Sequence, residues 1–195
     1  KASGFFNLIL HGPSGTGKNI FLKCLEYEIK NNNNFLRLYI DGNSESRLSG
    51  IREKLHDLKY NALKTSNFSK LVYVKNANLF SSTTQMICRE NMEINNTGIN
   101  FIFSTNSIFK INTAIISRCV PLKLKLVSEH CLMIRIIEIL NKEDMKPSLE
   151  EIILLMKIGN GDVRKTIDLI SGRLVGDMID KKYFSYLSKI YPNHK

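Results

Sequence analysis

The stretch "NLILHGPSGTGKN", residues 7–19, joins an apolar run, a glycine-rich turn and a lysine. Gly12, Gly17 and Lys18 satisfy the pattern G-x-x-x-x-G-K. In such loops the backbone N–H groups point at phosphate oxygens, the following helix adds its positive end, and the lysine reaches the terminal phosphates. Because "FFNLIL" predicts a strand over 5–10 and "NIFLKCLEYEIK" predicts a helix, a phosphate loop is favoured over an ordinary glycine turn. The residues expected to line the phosphates are Gly12, Pro13, Ser14, Gly15, Thr16, Gly17, Lys18 and Asn19.

The loop departs from its pattern at the last position. A serine or threonine hydroxyl normally follows the lysine and binds magnesium, whereas Asn19 offers an amide. An active NTPase also needs acidic side chains at the end of a neighbouring strand. The strand expected there, "KLVYV" (70–74), is followed by Lys75, Asn76, Ala77 and Asn78. The sequence therefore predicts a phosphate-binding loop without a magnesium site, and it indicates no other metal site.

The first 126 residues alternate β-type runs with helical periods. Strands are also predicted over 35–41, 70–74, 99–105 and 119–126, and helices over about 47–63 and 81–94. This alternation is typical of a parallel sheet covered by helices on both faces. We therefore predict an α/β nucleotide-binding body over residues 1–126.

After residue 126 the β-type runs end. Helices are predicted over about 128–141, 148–158, 161–172 and 179–190. Ser148 and Glu151 have the spacing of a capping box, and Gly159 suits the end of the second of these helices. Residues 127–195 are therefore predicted to form a small helical lid domain.

The composition is basic, with 28 Lys and Arg against 18 Asp and Glu and a formal net charge of +10. The excess favours polyanionic partners such as DNA or RNA, although a general bias towards Lys, Asn and Ile accounts for it equally well. The four cysteines have no C-x-x-C spacing, which indicates neither a zinc site nor a disulfide framework and suits a reducing compartment. No apolar run approaches the roughly 20 residues of a membrane span, so no membrane partner is expected.

Several segments, in order, resemble the small subunits of replication factor C, the eukaryotic sliding-clamp loader of the AAA+ family. "KLVYVKNANLFSSTTQMICRENME" is similar to the family's Walker B strand and helix, in which Asp-Glu-Ala-Asp or a close variant stands at 75–78. "IDGNSESRLSGIREKL" is similar to its Asn-Ala-Ser-Asp segment, "FIFSTNSIFKINTAIISRC" to its sensor-1 strand and Ser-Arg-Cys motif, and "GNGDVRKTIDLI" to its sensor-2 helix. The resemblance implies an AAA+ P-loop sheet flanked by helices and followed by a helical lid.

The same resemblance implies parts that lie outside these 195 residues. In the family an adenine-holding segment precedes the phosphate loop, and an all-helical collar domain follows the lid. Without the adenine-holding segment, weak nucleotide affinity is expected.

The resemblance also assigns roles to single residues. It makes Lys18 the phosphate lysine, Asn106 sensor 1 and Arg164 sensor 2. Arg118 corresponds to the arginine finger, which enters the nucleotide site of a neighbouring subunit. Taken alone, Asn106 is an ordinary turn residue and each arginine an ordinary solvated side chain. Cys119 is expected to be a small buried side chain rather than a reactive thiol.

Lys75 and Asn76 occupy the positions of the metal-binding and catalytic acids, which makes the Walker B motif degenerate. A cation in place of a carboxylate predicts that metal-dependent hydrolysis fails in this chain, and that Lys75 partly replaces the ion beside ATP or ADP. A solvated strand end is the plainer interpretation of Lys75. Three alternatives remain open: an ATPase that uses another acid such as Asp41, a nucleotide-free scaffold with a vestigial loop, and another AAA+ protein of DNA metabolism.

The predicted function is therefore that of a non-hydrolysing clamp-loader subunit that acts in the nucleus during DNA replication. Its expected partners are other replication factor C subunits, the sliding clamp and primer-template DNA. In the family, basic residues on two helices follow the duplex phosphates, and Arg52 and Arg89 stand at comparable positions, with Lys54 a weaker candidate. Solvated helix faces account for these side chains equally well.

Overall fold

The computed structural model describes residues 6–32, 35–44, 48–64, 69–93, 99–143 and 149–174. The elements up to residue 123 are β1 (Leu8–His11), α1 (Lys18–Asn32), β2 (Phe35–Asp41), α2 (Leu48–Lys64), β3 (Ser69–Lys75), α3 (Ser82–Glu93), β4 (Ile99–Thr105), α4 (Thr113–Ile116) and β5 (Val120–Lys123). They are followed by α5 (Glu129–Lys142), α6 (Leu149–Gly159) and α7 (Val163–Leu174). The predicted helix over 179–190 and the predicted capping box beginning at Ser148 lie outside the described residues.

The five strands form one sheet in the order β2-β3-β4-β1-β5, and every neighbouring pair is parallel. The prediction of a parallel sheet is therefore confirmed. Strands of such a sheet are joined by crossover connections. The inner strands β1 and β4 are buried on both faces, which is why they read as nearly continuous apolar runs. The predicted limits of β1 and β5 were too wide, because β1 begins at Leu8 rather than at residue 5 and β5 ends at Lys123 rather than at residue 126.

Apolar side chains of the strands divide between two clusters, one on each face of the sheet. Ile9, Val74 and Phe103 pack in a cluster with buried residues of α2 and α3. Their sequence neighbours on the same strands, such as Leu10 and Tyr73, pack in a second cluster with residues of α1. This division follows from the alternation of side chains along a strand. Helices therefore flank the sheet on both faces.

The chain forms two compact units. The first contains Lys1–Pro13 and Lys18–Leu124, and the second contains Ser14–Gly17 and Lys125–Lys195. The second unit has its own apolar core, built from α5, α6 and α7, with the buried residues Leu132, Ile136, Leu140, Ile152, Leu155, Ile158 and Ile170. The tip of the phosphate loop is grouped with this helical unit, a feature that the predicted division after residue 126 did not include.

None of the helices within the described ranges combines the length and the apolarity needed to cross a membrane.

Candidate nucleotide site and arginine finger

The predicted site residues stand at the carboxyl ends of neighbouring strands. The phosphate loop follows β1, Asn106 follows β4, Lys75 ends β3 and Asp41 ends β2. In a parallel sheet these ends lie along one edge, where open α/β sheets bind their ligands. The strand order puts the end of β4 next to the loop, the end of β3 one strand further away, and the end of β2 beyond it.

The phosphate loop depends on glycine. Gly12, Gly15 and Gly17 have φ angles of +152°, +71° and +88°, a region that residues with a Cβ rarely adopt. At Gly12 an added Cβ would lie only 2.1 Å from the carbonyl oxygen of Leu124, so the backbone there also passes too close to the chain after β5 for any side chain. The glycines therefore produce a loop with bare backbone, which a phosphate cradle requires.

Lys18 is the first residue of α1 and is buried, with 9% of its surface exposed. Its Nζ donates to the carbonyl oxygens of Gly12 at 2.6 Å and Pro13 at 2.5 Å. A buried ammonium group needs acceptors of this kind, and phosphate oxygens are stronger acceptors than neutral carbonyls. The loop and its lysine therefore fit a nucleotide phosphate. Asn19 follows Lys18 in α1 and is partly buried.

Within the second unit, the tip of the loop contacts the start of α7. Ser14 Oγ donates to Asp162 Oδ2 at 3.2 Å, and Asp162 Oδ1 accepts from the backbone N–H of Lys165 at 3.0 Å. The second contact caps α7. This cap was not predicted from the sequence, and nothing in the local sequence indicates that the same carboxylate binds Ser14. Arg164 is exposed in the first turn of α7, and its sensor-2 role stays a prediction.

Asp41, Lys75 and Asn76 form a hydrogen-bonded cluster at the ends of β2 and β3. Asp41 and Lys75 are register partners, and Lys75 Nζ donates to Asp41 Oδ2 at 2.9 Å. The other oxygen, Oδ1, accepts from Asn76 Nδ2 and from the backbone N–H of Asn43, both at 3.0 Å. Desolvation, the largest single influence, raises the pKa of Asp41, but these hydrogen bonds and the charge of Lys75 together bring it below its ordinary value. Asp41 is therefore an ionised carboxylate with both oxygens engaged.

This cluster does not fit a magnesium ion. Magnesium binds through oxygen ligands that include one or two carboxylates, and the carboxylate of Asp41 is already neutralised by Lys75 at 2.9 Å. The side chains of Lys75 and Asn76 both donate hydrogen bonds to the Asp41 carboxylate, whereas a metal site would need groups that provide oxygen ligands. Across the part of the chain that the structure describes, no group of three or more His, Cys, Asp or Glu side chains is placed to hold a metal ion.

Asn78 links the end of β3 to the end of β4. Its Oδ1 accepts from Thr105 Oγ1 at 3.1 Å and from the backbone N–H of Asn106 at 3.4 Å. Thr105 is buried, whereas Asn106 is exposed. Asn78 thus fixes the turn that carries the predicted sensor-1 residue, a role that was not predicted from the sequence.

Arg118, the predicted arginine finger, lies in the turn after the short helix α4. Its Nη1 donates to the carbonyl oxygen of Ala114 at 2.7 Å, and its Nη2 donates to Glu93 Oε1 at 2.7 Å. The Arg118 side chain remains 39% exposed. The same Glu93 oxygen lies 3.6 Å from Nε of Arg89, one helical turn earlier on α3. Two arginines with different predicted roles therefore share one carboxylate, which was not predicted to be part of any site.

Buried Gln85 on α3 fixes the segment that leads into α4. Its Nε2 donates to the carbonyl oxygen of Lys110 at 3.0 Å, and its Oε1 accepts from the backbone N–H of Asn112 at 2.7 Å. Asn112 is the N-cap of α4. Because Arg118 lies two residues after the end of that helix, its backbone is anchored on α3 through these contacts. Gln85 was also not predicted to have a role.

The predicted DNA contacts lie on two helices that pack on the same face of the sheet, Arg52 on α2 and Arg89 on α3. Arg52 and Lys54 are exposed, and the Arg89 side chain is 34% exposed. Solvent reaches all three, as a phosphate contact requires, and their role in binding DNA stays a prediction.

The four cysteines, all within the described residues, are free thiols. Burial raises the pKa of Cys88 and of Cys119 to about 12. A thiol with that pKa is almost entirely protonated at neutral pH and reacts slowly. Cys119, in the Ser-Arg-Cys segment, packs against the main core of the first unit, consistent with the expectation of a packing residue.

Curated replication factor C small subunits are similar to this chain over most of its length. The small subunit of Archaeoglobus fulgidus is 27% identical over 178 residues, which cover 89% of this chain and 55% of the relative. Human replication factor C subunit 4 is 28% identical over 201 residues, which cover 97% of this chain and 55% of the relative. The chain is a homologue of the replication factor C small subunits. It spans about half the length of the curated relatives it matches.

The fold agrees with this homology. The RuvB Holliday junction branch migration motor of Thermotoga maritima superimposes with a TM-score of 0.69 at 14% identity, over 95% of this chain and 62% of that chain. Identity at this level shows the fold alone, which is the AAA+ P-loop fold. No protein-family model matches the chain. The predicted fold class and the replication factor C resemblance are thus confirmed, whereas the roles of individual Walker B, sensor and finger residues stay predictions.

Proposed function

We propose that this replication factor C homologue is a clamp-loader subunit that binds a nucleotide, does not hydrolyse it, and supplies Arg118 to the nucleotide site of a neighbouring subunit. The homology supports membership of a multi-subunit clamp loader, and the AAA+ fold supports nucleotide binding. The observation that carries the non-hydrolysing role is the hydrogen-bonded cluster of Asp41, Lys75 and Asn76.

Hydrolysis requires a group that orients and deprotonates the attacking water, and a means of neutralising the charge on the phosphates. In this chain the residues at the two acid positions, Lys75 and Asn76, are hydrogen-bond donors to Asp41. The lowered pKa of Asp41 makes it a weak base, and its oxygens already accept from three donors. The cluster therefore argues against the alternative in which Asp41 replaces the missing acid.

Nucleotide binding rests on the phosphate loop, with Lys18 as the phosphate lysine and Asn106 and Arg164 as further predicted contacts. The nucleotide is ATP or ADP, bound without magnesium, because neither Asn19 nor the Lys75 cluster offers the ligands that the ion needs. Lys75 keeps 45% of its side chain exposed, so its remaining N–H bonds are accessible to a phosphate oxygen. Nucleotide titrated with and without EDTA tests this. The expected result is the same Kd, within a factor of about two, and a tenfold loss on chelation contradicts it.

The function in trans rests on Arg118. Its guanidinium stands at the end of α4 and is partly exposed, as a group that reaches another subunit must be. An arginine finger contributes about 10³–10⁵ to the rate of the site that it enters. Other replication factor C subunits are therefore proposed as its direct neighbours, with the sliding clamp, primer-template DNA and a nuclear location proposed from the family.

The decisive experiment uses the full-length chain assembled with its partner subunits. Arg118→Ala is expected to reduce ATP turnover of the complex by orders of magnitude, although the isolated chain releases no phosphate. Arg135→Ala is the matched control, because Arg135 is an exposed, ion-paired arginine on α5. Full turnover in the Arg118→Ala complex, or turnover by the isolated chain that Lys18→Ala abolishes, overturns the proposal.

A gain-of-function test examines the acid positions directly. Restoring Asp, Glu and Asp at positions 75, 76 and 78 would place a carboxylate against Asp41. Like charges at that distance repel each other. A magnesium ion bound between the two carboxylates relieves that repulsion, so magnesium-dependent affinity is expected to appear in the triple variant.

One observation favours a second candidate function, that of a nucleotide-free scaffold. Lys18 Nζ already has carbonyl partners in its own loop, and Asp162 already binds Ser14 at the loop tip. Isothermal titration of the intact chain with ADP distinguishes the two functions. Binding that Lys18→Ala abolishes supports the nucleotide-holding subunit, and an absence of binding up to millimolar ADP supports the scaffold.

A further inference from the structure

Glu93 is the acidic partner of Arg118 within its own chain. Of the five N–H bonds of the Arg118 guanidinium, one on Nη2 is directed at Glu93 Oε1 at 2.7 Å and one on Nη1 at the carbonyl oxygen of Ala114 at 2.7 Å. The ion pair is short and lies near solvent, with 39% and 42% of the two side chains exposed. The guanidinium is therefore held against the ends of α3 and α4 by contacts that solvent can reach and exchange.

Arg89 competes with Arg118 for the carboxylate of Glu93. Arg89 Nε lies 3.6 Å from Glu93 Oε1, which is an ion-pair distance but too long for a hydrogen bond. Among the described residues this Nε is out of solvent and has no hydrogen-bond partner. Two guanidinium groups and one carboxylate leave a local charge of plus one. Loss of either arginine leaves Glu93 entirely to the other.

We infer that Glu93 is a positioning residue that keeps Arg118 within its own subunit, and that Arg89 weakens this hold by competing for Glu93. The inference rests on the proposed function of Arg118. A triphosphate in the neighbouring site and Glu93 are both anionic, so a guanidinium that stays 2.7 Å from Glu93 brings two like charges together when it meets the phosphate. When Arg118 enters the neighbouring site, its guanidinium therefore exchanges the Glu93 carboxylate for a phosphate oxygen. The free energy of the Glu93 contact is lost in this exchange, so it reduces the net free energy that Arg118 gains from the phosphate.

This competition predicts effects of opposite sign for two neighbouring residues on one helix. Glu93→Gln keeps the size of the side chain but removes its charge, so it releases Arg118 and raises the kcat/KM of ATP hydrolysis by the assembled complex. Arg89→Gln leaves Arg118 as the one arginine paired with Glu93, so it strengthens that pair and lowers kcat/KM. Each effect is expected to be roughly two- to fivefold, the range for ion pairs that are partly exposed.

The assay is steady-state phosphate release by the complex that contains the full-length chain, at low salt and without DNA, so that a DNA contact of Arg89 does not contribute. Glu93→Asp retains the charge and is expected to stay near the wild-type value. In the Glu93→Gln background, Arg89→Gln should have no further effect, because its target is gone. Glu90→Gln is the matched control, since Glu90 is an exposed acid on the same helix. A purely structural role for Glu93 would give decreases in both single variants and no dependence on charge.

Failure of this inference is separable from failure of the proposed function. If Arg118→Ala abolishes turnover while Glu93→Gln leaves kcat/KM unchanged or lowers it, the inference is wrong but the proposed role of Arg118 as an arginine finger is retained. If Arg118→Ala has no effect in the wild-type and Glu93→Gln complexes alike, the proposed function is wrong and the inference with it. An Arg89→Gln effect that persists in the Glu93→Gln background also overturns the inference, because Arg89 would then act elsewhere.

Discussion

Removal of the ion pair between Lys75 and Asp41 is expected to lower the free energy of unfolding, by an amount that depends strongly on pH. At 2.9 Å the pair attracts with about 6 kcal/mol at an effective dielectric constant of about 20, before the desolvation of either ion is subtracted. Lys75 keeps 45% and Asp41 keeps 29% of its side-chain surface exposed, so solvent screening reduces the net contribution to about 1 kcal/mol. A double-mutant cycle of Lys75→Met and Asp41→Asn isolates that coupling from the other contacts of each residue.

The sign of the pH dependence follows from Asp41. Its pKa in the folded chain lies below the ordinary value of 3.8, so the ionised form stabilises the fold above that value. The stabilisation is lost as the pH falls through the lower pKa of the folded state. The coupling energy should therefore be about 1 kcal/mol between pH 5 and 7 and should shrink as the pH falls below the ordinary value of 3.8.

Urea unfolding followed by circular dichroism measures each corner of the cycle, since the chain contains no tryptophan for fluorescence. Lys23→Met serves as a control, because Lys23 is exposed on α1 and its removal should change stability by less than about 0.5 kcal/mol. A coupling energy within the ~0.3–0.5 kcal/mol error of additivity at pH 7 would refute the pairing of Lys75 with Asp41. So would a coupling that stays constant between pH 7 and pH 3.

Three further outcomes are expected. Gly17→Ala should lower the free energy of unfolding in urea by about 1–2 kcal/mol, because the new side chain meets only backbone strain. Gly12→Ala should lower it clearly more, since its Cβ would approach the Leu124 carbonyl oxygen to 2.1 Å. Equal losses for the two variants would contradict the close approach. Iodoacetamide at pH 8 should label the exposed thiols and leave Cys88 and Cys119 unlabelled, because at a pKa of about 12 only about one thiol in ten thousand is ionised. Peptide mass spectrometry identifies the labelled cysteines, and labelling of Cys88 or Cys119 would contradict this expectation. Arg89→Gln should reduce the slope of log affinity for DNA against log salt by about one unit, whereas Arg135→Gln should leave it unchanged; an unaltered slope removes Arg89 from the DNA contacts.

Much of the fold was predictable because its signals are local. A buried parallel strand is an apolar run, and the apolar runs of "LVYV" and "INFIFST" are strands β3 and β4. The phosphate loop was predictable for the same reason, since its glycines impose their conformation within a few residues. The short helix α4 was not predicted, because four residues carry no helical period.

Asp41, Lys75 and Arg118 were singled out from the sequence, whereas Glu93 and the contacts among these residues were not. Asp41 and Lys75 are 34 positions apart, and only the register of β2 against β3 brings them together. Glu93 and Arg118 are 25 positions apart and meet because Gln85 anchors the segment that leads into α4 on α3. Such pairs depend on the tertiary arrangement, and no pattern within either segment indicates its partner.

These contacts change the electrostatic interpretation of the degenerate acid positions. Considered alone, Lys75 puts a positive charge where a carboxylate would bind the metal, which suggests a direct substitute for the ion. In the folded chain Asp41 balances that charge at 2.9 Å, so the strand ends carry no net charge from this pair. A neutral pair attracts a phosphate less than a free ammonium does, because the carboxylate repels what the lysine attracts. Under the proposed function, phosphate binding is therefore expected to depend mainly on the loop and Lys18, and the paired ends of β2 and β3 are expected to contribute little to it.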